Sequence, residues 1–318
     1  MQATTNDDRQ LARLDDLGSQ ARDFLHAARS ANTHRAYRSD WQHFADWCTD
    51  NGLDALPAAG STLALYLTDH ARALKPSTLQ RRLVAIKQAH RAAGTLSPTE
   101  DAGVTSVWRG IRRTVGTAQI GKAALLTEDI RAMVAMLPET VAGTRDRALF
   151  LVGFLGAFRR SELVALDVAD VQITRDGLIV TIRRSKTDQD GEGQKIGIPR
   201  GKMPATCPVR ALTTWLELIP EAGPIFRAVD RVQRVRPTRL SDRDVARIVK
   251  RTAQLAGFDP ALYAGHSLRA GLATSAAAAG VEERQIMAQT RHRSVIVARR
   301  YIRDGNLFRG NAAAAVGL

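Results

Sequence analysis

Cysteine is almost missing from this 318-residue chain: Cys48 and Cys207 are the only two, and they form no CxxC pair. That disfavours a disulfide scaffold or a zinc finger and fits a reducing cytoplasm. No apolar run approaches the roughly 20 residues that a membrane-spanning helix needs, so no membrane partner is expected. The first residues, Met1 to Asp16, are polar and carry acids, unlike a signal peptide. Paired carboxylates at metal-site spacing and a Gly-rich phosphate loop are also lacking among the candidate motifs. No metal and no other cofactor is therefore expected, and the chain reads as soluble and cytoplasmic. Lysine is scarce too, with 7 residues against 39 arginines.

What is abundant is positive charge. There are 46 basic and 32 acidic residues, a net charge of +14, and an acidic polymer is the natural partner for that balance. The planar fork of arginine suits bidentate contacts to phosphate and guanine, whereas lysine acts as a point charge. A GC-rich genome would also favour arginine and alanine, but the net charge stands under either explanation. The chain is 44% hydrophobic, enough at this length for two packed domains.

Residues 1–18 lack a sustained apolar pattern and read as a loose tail. Residues 19–113 are patterned as helices almost throughout. Tyr37, Trp41, Phe44, Ala45 and Trp47 form one buried stripe behind a cap at Thr33, and core packing is the better account of these aromatics. Ser77 is the expected cap of a later helix with Leu79, Leu83, Ile86 and His90 on one face. Its other positions hold Gln80, Arg81, Arg82, Lys87 and Gln88. Such side chains can pair with base edges or hold phosphate, so this helix is the candidate for a DNA groove, although a solvated basic surface explains it about as well. Residues 114–123 are small and polar and read as the linker. Before Gln119 there are 15 basic and 12 acidic residues, and after it 31 and 20, so the second domain, 124–318, carries most of the field. There the helical pattern is interrupted by two expected strands, Gly177 to Ile182 and Gln194 to Pro199, joined by a polar hairpin loop.

The reactive residues lie in this second part. In chain order they are Arg159-Arg160-Ser161-Glu162-Leu163, Ser185-Lys186-Thr187, His266-Ser267-Leu268-Arg269, His292 and Tyr301. Metal-free cleavage of a phosphodiester needs an aligned nucleophile, cations around the non-bridging oxygens and a proton donor for the leaving alkoxide. A free phenol has a pKa of about 10 and attacks only with help from a base or a cationic pocket. His266 and Arg269 are spaced i, i+3 at a helix start, so they face one way. Each motif alone is weak: such a histidine is more often structural, and the Arg–Glu pair could be an ion pair and nothing more.

The ordered set resembles the tyrosine recombinase (phage integrase) family over nearly the full chain. The resemblance implies a mostly α fold, with an N-terminal helical core-binding (SAM-like) domain. A mainly helical catalytic domain with a small β-sheet or hairpin would follow. It implies that Arg159 is catalytic with Glu162 in support, that Lys186 rides the hairpin as general acid, and that His266, Arg269 and His292 complete the pocket for the nucleophile Tyr301. It further implies a 3′-phosphotyrosyl intermediate, double-stranded DNA carrying a specific recombination site as partner, and a homo-tetramer on DNA formed from monomers. A last helix of 306–318 would dock into a neighbouring subunit. Arg291 stands where the family usually has glycine, Arg160 and Arg300 adjoin catalytic positions, and Lys195 is a second lysine in the hairpin. Two other functions remain in view: an architectural DNA-binding protein without chemistry, and a type IB topoisomerase-like relaxase.

Overall fold

A computed structural model describes residues 6–28, 30–117, 121–185, 188 and 193–305. Lys186 and the expected docking segment 306–318 lie outside the described residues. The chain divides into two compact units, Met1–Ile120 and Gly121–Leu318.

Unit 1 is all helix: α1 (Asn6–Ala27), α2 (Ala31–Asp50), α3 (Gly60–His70), α4 (Pro76–Ala92) and α5 (Ala102–Val115). Residues 6–18, expected as a loose tail, are the first half of α1. Their leucines, alanine and long polar side chains are good helix formers, and Gln20 bonds back to Asp16 at i−4. Among the described side chains of α1, Leu14, Leu17, Phe24 and Leu25 are all exposed. The cap of α2 is Ser30, which accepts the N–H of Thr33, and α4 starts on Pro76 with Lys75 at the cap position. Both caps therefore precede the residues that the sequence pattern favoured. Phe44, Cys48, Leu63, Tyr66, Leu67, Leu79 and Ile86 are fully buried in one core. His90 locks the loop before α3, accepting the Ala58 N–H at Nε2 and donating from Nδ1 to the Ile86 carbonyl.

One expectation for α4 fails. Arg82 is buried and donates to the Tyr66 hydroxyl at 2.8 Å, with Asp40 3.7 Å from its Nε. A buried guanidinium needs such partners, and they come from α2 and α3, so α4's own sequence does not announce them. Gln80 and Lys87 are exposed and Gln88 is half-buried. Arg81 is half-exposed and gripped bidentately by Asp40 at 2.5 and 2.9 Å, and Lys87 pairs with Glu100 at 2.7 Å.

Unit 2 surrounds the apolar α7 (Val141–Leu155), which follows α6 (Thr127–Ala135) and precedes the short α8 (Arg160–Ala165). A three-stranded antiparallel sheet comes next, β1 (Val171–Ile173), β2 (Gly177–Ile182) and β3 (Gln194–Pro199), in that order. The hairpin β2–β3 pairs Leu178 with Ile198 and Val180 with Ile196, which turns those four side chains into the core. After α9 (Pro208–Leu216) a second hairpin forms from β4 (Arg227–Val229) and β5 (Val235–Arg239). Four helices close the unit: α10 (Asp242–Leu255), α11 (Ser267–Ala278), α12 (Glu283–Thr290) and α13 (Val295–Gly305). Gly271 lets α11 lie against the strand-like entry to α6, where a Cβ would sit 1.8 Å from the Leu125 carbonyl oxygen. Among the described residues no helix is long and apolar enough to cross a membrane.

Candidate active site

The turn that ends α7 organises the site. Ala157 has a φ of 46°, in the left-handed region, and Gly156 lies so close to the Phe158 ring that a Cβ would come within 2.1 Å of it. The turn thereby presents the carbonyls of Gly156 and Ala157 to the interior, where buried arginines answer them. Arg269 Nη1 donates to Ala157 O at 2.8 Å. Arg291 donates from Nη1 to Gly156 O at 2.9 Å and from Nη2 to Ala157 O at 2.8 Å.

Arg159 follows this turn and caps α8. Glu162, 2% exposed, accepts the Arg159 backbone N–H at 2.9 Å through Oε2 and the Arg159 Nη1 through Oε1. Arg291 Nη2 donates to the same Oε2 at 2.9 Å. Burial alone would raise the Glu162 carboxyl, but Arg291 and the Arg159 bonds outweigh it and hold it below the usual carboxylate range. Arg160 points elsewhere: its stem packs over Gly265, and its guanidinium lies 3.6 Å from Asp242. Of the two adjacent arginines, Arg159 is the one joined to Glu162.

Three guanidiniums, those of Arg159, Arg269 and Arg291, thus gather around one carboxylate. The consequence shows at Arg269, which is 1% exposed. Burial pushes its guanidinium down to about 9, and the positive neighbours Arg159 and Arg291 push the same way. Its Nη2 is buried without a hydrogen-bond partner. A buried donor without an acceptor, in a cluster where three guanidiniums face one carboxylate, is what an anion would satisfy.

The phenol is on hand. His266, exposed at the start of α11, meets the Tyr301 hydroxyl at 2.9 Å through Nε2. The rings of His292 and Tyr301 stack with centroids 5.8 Å apart and planes at 28°. Tyr301 and Ile302 pack on Ala273, Ala277 and Ile286, seating α13 on α11 and α12. Gly305 permits that approach, because a Cβ there would lie 2.4 Å from the Thr274 carbonyl oxygen.

His292 is held in one tautomer. Thr290, fully buried, donates its hydroxyl proton to the Ile286 carbonyl at 2.7 Å, and its Oγ1 is also 2.7 Å from His292 Nδ1. A hydroxyl has one proton to give, so Nδ1 carries the ring hydrogen and Nε2 keeps a lone pair. Burial first, then Arg269 and Arg159, hold this ring at about 4. It is neutral near pH 7.

The sequence-predicted residues Arg159, Glu162, His266, Arg269, His292 and Tyr301 are therefore brought together. Lys195 is exposed on β3 opposite Thr181. Three residues that sequence reasoning did not assign belong to the same cluster. Thr290 sets the His292 tautomer, and Arg291 braces Glu162. Gln289 ties α12 to the Leu155 and Gly197 carbonyls at 2.8 and 3.2 Å. Among the described residues no group of three or more His, Cys, Asp or Glu side chains is placed to hold a metal ion.

A cationic pocket with a tyrosine hydroxyl beside it thus lies in the second unit of a mainly helical chain. The chain belongs to the phage integrase family: residues 124–306 match the Phage integrase family and residues 23–94 its N-terminal SAM-like domain. It is 44% identical to an integrase/recombinase XerD homolog of Selenomonas ruminantium over 93% of this chain and 88% of that one. The tyrosine recombinase XerC of Corynebacterium efficiens is 31% identical over 85% and 80%. Likeness to Cre, from Escherichia phage P1, is more distant, at 25% over 86% and 84%. Among solved structures, the Tn1549 transposon integrase in complex with transposon right end DNA matches with a TM-score of 0.63 and 12% identity over 88% and 92%. A lambda integrase dimer bound to a core site matches at 0.58 and 16% over 93% and 95%. Those two likenesses concern the fold.

Proposed function

We propose that this chain is a site-specific DNA recombinase that cuts and rejoins strands through a 3′-phosphotyrosyl intermediate. The observation that carries this reading is the Tyr301 hydroxyl hydrogen-bonded to His266 beside a pocket of three arginines, two of which, Arg269 at Nη2 and Arg291 at Nε, keep a buried donor without a partner. Tyr301 Oη attacks the scissile phosphorus and gives its proton to His266 Nε2. The bond from phosphorus to the 5′ oxygen breaks, and the leaving alkoxide takes a proton from Lys186 (Lys195 is the alternative donor). Arg159 and Arg269 bind the non-bridging oxygens, whose charge grows in the pentavalent state. His292 joins them once the arriving phosphate raises its proton affinity, so that Nε2 can donate. The phosphodiester energy is kept in the covalent link, and religation by another 5′-hydroxyl reverses the steps without metal or ATP.

Double-stranded DNA with a specific recombination site is the partner. Gln80, Arg81, Lys87 and Gln88 of α4 contribute to binding, two duplexes are exchanged in a homo-tetramer, and the chain is monomeric when free. In this reading the domains run 19–113 and 124–318 around the linker 114–123. The test is a nicked DNA substrate from which the cleaved fragment diffuses away. A covalent adduct should accumulate in the presence of a chelator. Arg269→Ala should retain most DNA affinity and lose cleavage. No adduct with the unmodified chain would favour the architectural reading, and relaxation of supercoils by monomers without strand exchange would favour the topoisomerase-like one.

A further inference from the structure

We infer that Arg291 is a positioning residue for this site, resting on the recombinase reading: its guanidinium fixes Glu162, and through it Arg159, while its backbone occupies a conformation that glycine would adopt without strain. Arg291 ends α12 at φ 56° and ψ 43°, with its N–H on the Met287 carbonyl. This left-handed conformation is unfavourable for a residue with a Cβ and costs glycine nothing. Turn geometry therefore argues against arginine, and the side chain must supply the compensation.

It does so at the centre of the site. The guanidinium is buried, lies over the Phe158 ring at 5.3 Å, and makes four hydrogen bonds. They reach Gly156 O, Ala157 O, Glu162 Oε2 and the nearby Gln289 O, the last at 2.8 Å. The Ala157 oxygen is also the anchor of Arg269, and the Glu162 carboxylate is the anchor of Arg159. Arg291 thus touches both supports on which the two phosphate-facing arginines rest. A planar fork with five donors can span the four acceptors around it, three carbonyls and a carboxylate, whereas an ammonium has only three donors on one atom. The hydrogen bonds of the Arg291 guanidinium go to Gly156, Ala157, Glu162 and Gln289, so its effect on chemistry passes through Glu162 and Ala157.

The experiment is Arg291→Gly in the full chain, with thermal melting, DNA affinity and single-turnover cleavage measured together. Glycine suits the left-handed turn, but removing one partner of the buried pair with Glu162 should lower the melting temperature. Affinity and cleavage are therefore read well below it, where affinity should stay close to that of the unmodified chain. Cleavage should fall on the order of 10- to 100-fold, the usual cost of loosening a placed group. The substitution also leaves a guanidinium-shaped gap between Phe158, two carbonyls and Glu162. Millimolar guanidinium chloride should restore part of the rate, and sodium chloride at equal ionic strength should not. Arg291→Lys should fold and cleave slowly, which keeps the inference testable if the glycine variant fails to fold. Wild-type cleavage by either variant overturns the inference. So does a loss without guanidinium rescue that follows DNA affinity downward at a temperature where the variant is still folded, because Arg291 would then serve stability alone. If the unmodified chain forms no adduct, the recombinase reading fails separately. The inference would then be judged from arginine side-chain NMR, where Arg159 signals should sharpen with Arg291 present and broaden in the glycine variant. Identical signals would refute it.

Discussion

The most informative perturbation of this site is Glu162→Gln, because it changes one charge and almost no volume. Glu162 accepts three hydrogen bonds from two arginines, through both carboxylate oxygens, at 2% exposure. Glutamine keeps a single acceptor oxygen and points an NH2 group at a guanidinium that also only donates. The three gathered guanidiniums would lose their one negative neighbour. Breaking a buried ion pair by removing one partner costs about 3–5 kcal/mol. For a unit of this size each kcal/mol lowers the melting temperature by about 2–4 °C, so a fall of roughly 6–20 °C follows from the same two relations. Calorimetry at pH 7 measures it. An anion should offset the loss, so sulfate or inorganic phosphate should raise the melting point of the glutamine variant more than that of the unmodified chain. A variant that melts within about 2 °C of the original, with no extra response to phosphate, would refute the charge balance described here.

Other expectations follow from single contacts. Thr290→Val should cost about 1–3 kcal/mol by stranding the His292 Nδ1–H, and nitrogen NMR should show the ring proton moving to Nε2. An unchanged tautomer would contradict the assignment. Gly271→Ala should destabilise unit 2 by about 1–3 kcal/mol or more, since its Cβ meets backbone that cannot swing away; an unaltered denaturation midpoint would count against that packing. His292 is held at about 4 against an ordinary 6.5. The unfolded chain therefore takes up a proton between those values that the folded chain refuses. Stability present above 6.5 is lost as the pH falls toward 4, and His292→Gln should lose less of it in denaturant melts at pH 7 and 4.5. Equal losses would show that another group is responsible.

Much of this was legible in the sequence because the relevant signals are local. The aromatic stripe of α2 and the apolar face of α4 repeat at helical spacing, and the alternation of Leu178, Val180 and Ile182 marks a strand buried on one side. The order Arg159, Glu162, His266, Arg269, His292, Tyr301 is a pattern that family resemblance can carry. What escaped is what depends on distant partners. Arg82 looks like its exposed neighbours until Asp40 and Tyr66 arrive from other helices. The β4–β5 hairpin carries Arg227, Arg234, Arg236 and Arg239, and this much charge hides its strand alternation. Among its described side chains α1 exposes Leu14, Leu17, Phe24 and Leu25, so they form no buried stripe of the kind that sequence reading looks for. Thr290 and Arg291 read as ordinary polar residues, although an arginine in place of the usual glycine was a signal that the turn had another use.

The central claim is that the Tyr301 oxygen forms the bond to phosphorus. Trapping the chain on nicked DNA, digesting it and sequencing the DNA-linked peptide by mass spectrometry tests that bond directly. The account predicts a nucleotide on Tyr301 and no adduct from Tyr301→Phe at unchanged DNA affinity. An adduct on another side chain, or one that persists in the phenylalanine variant, would contradict it.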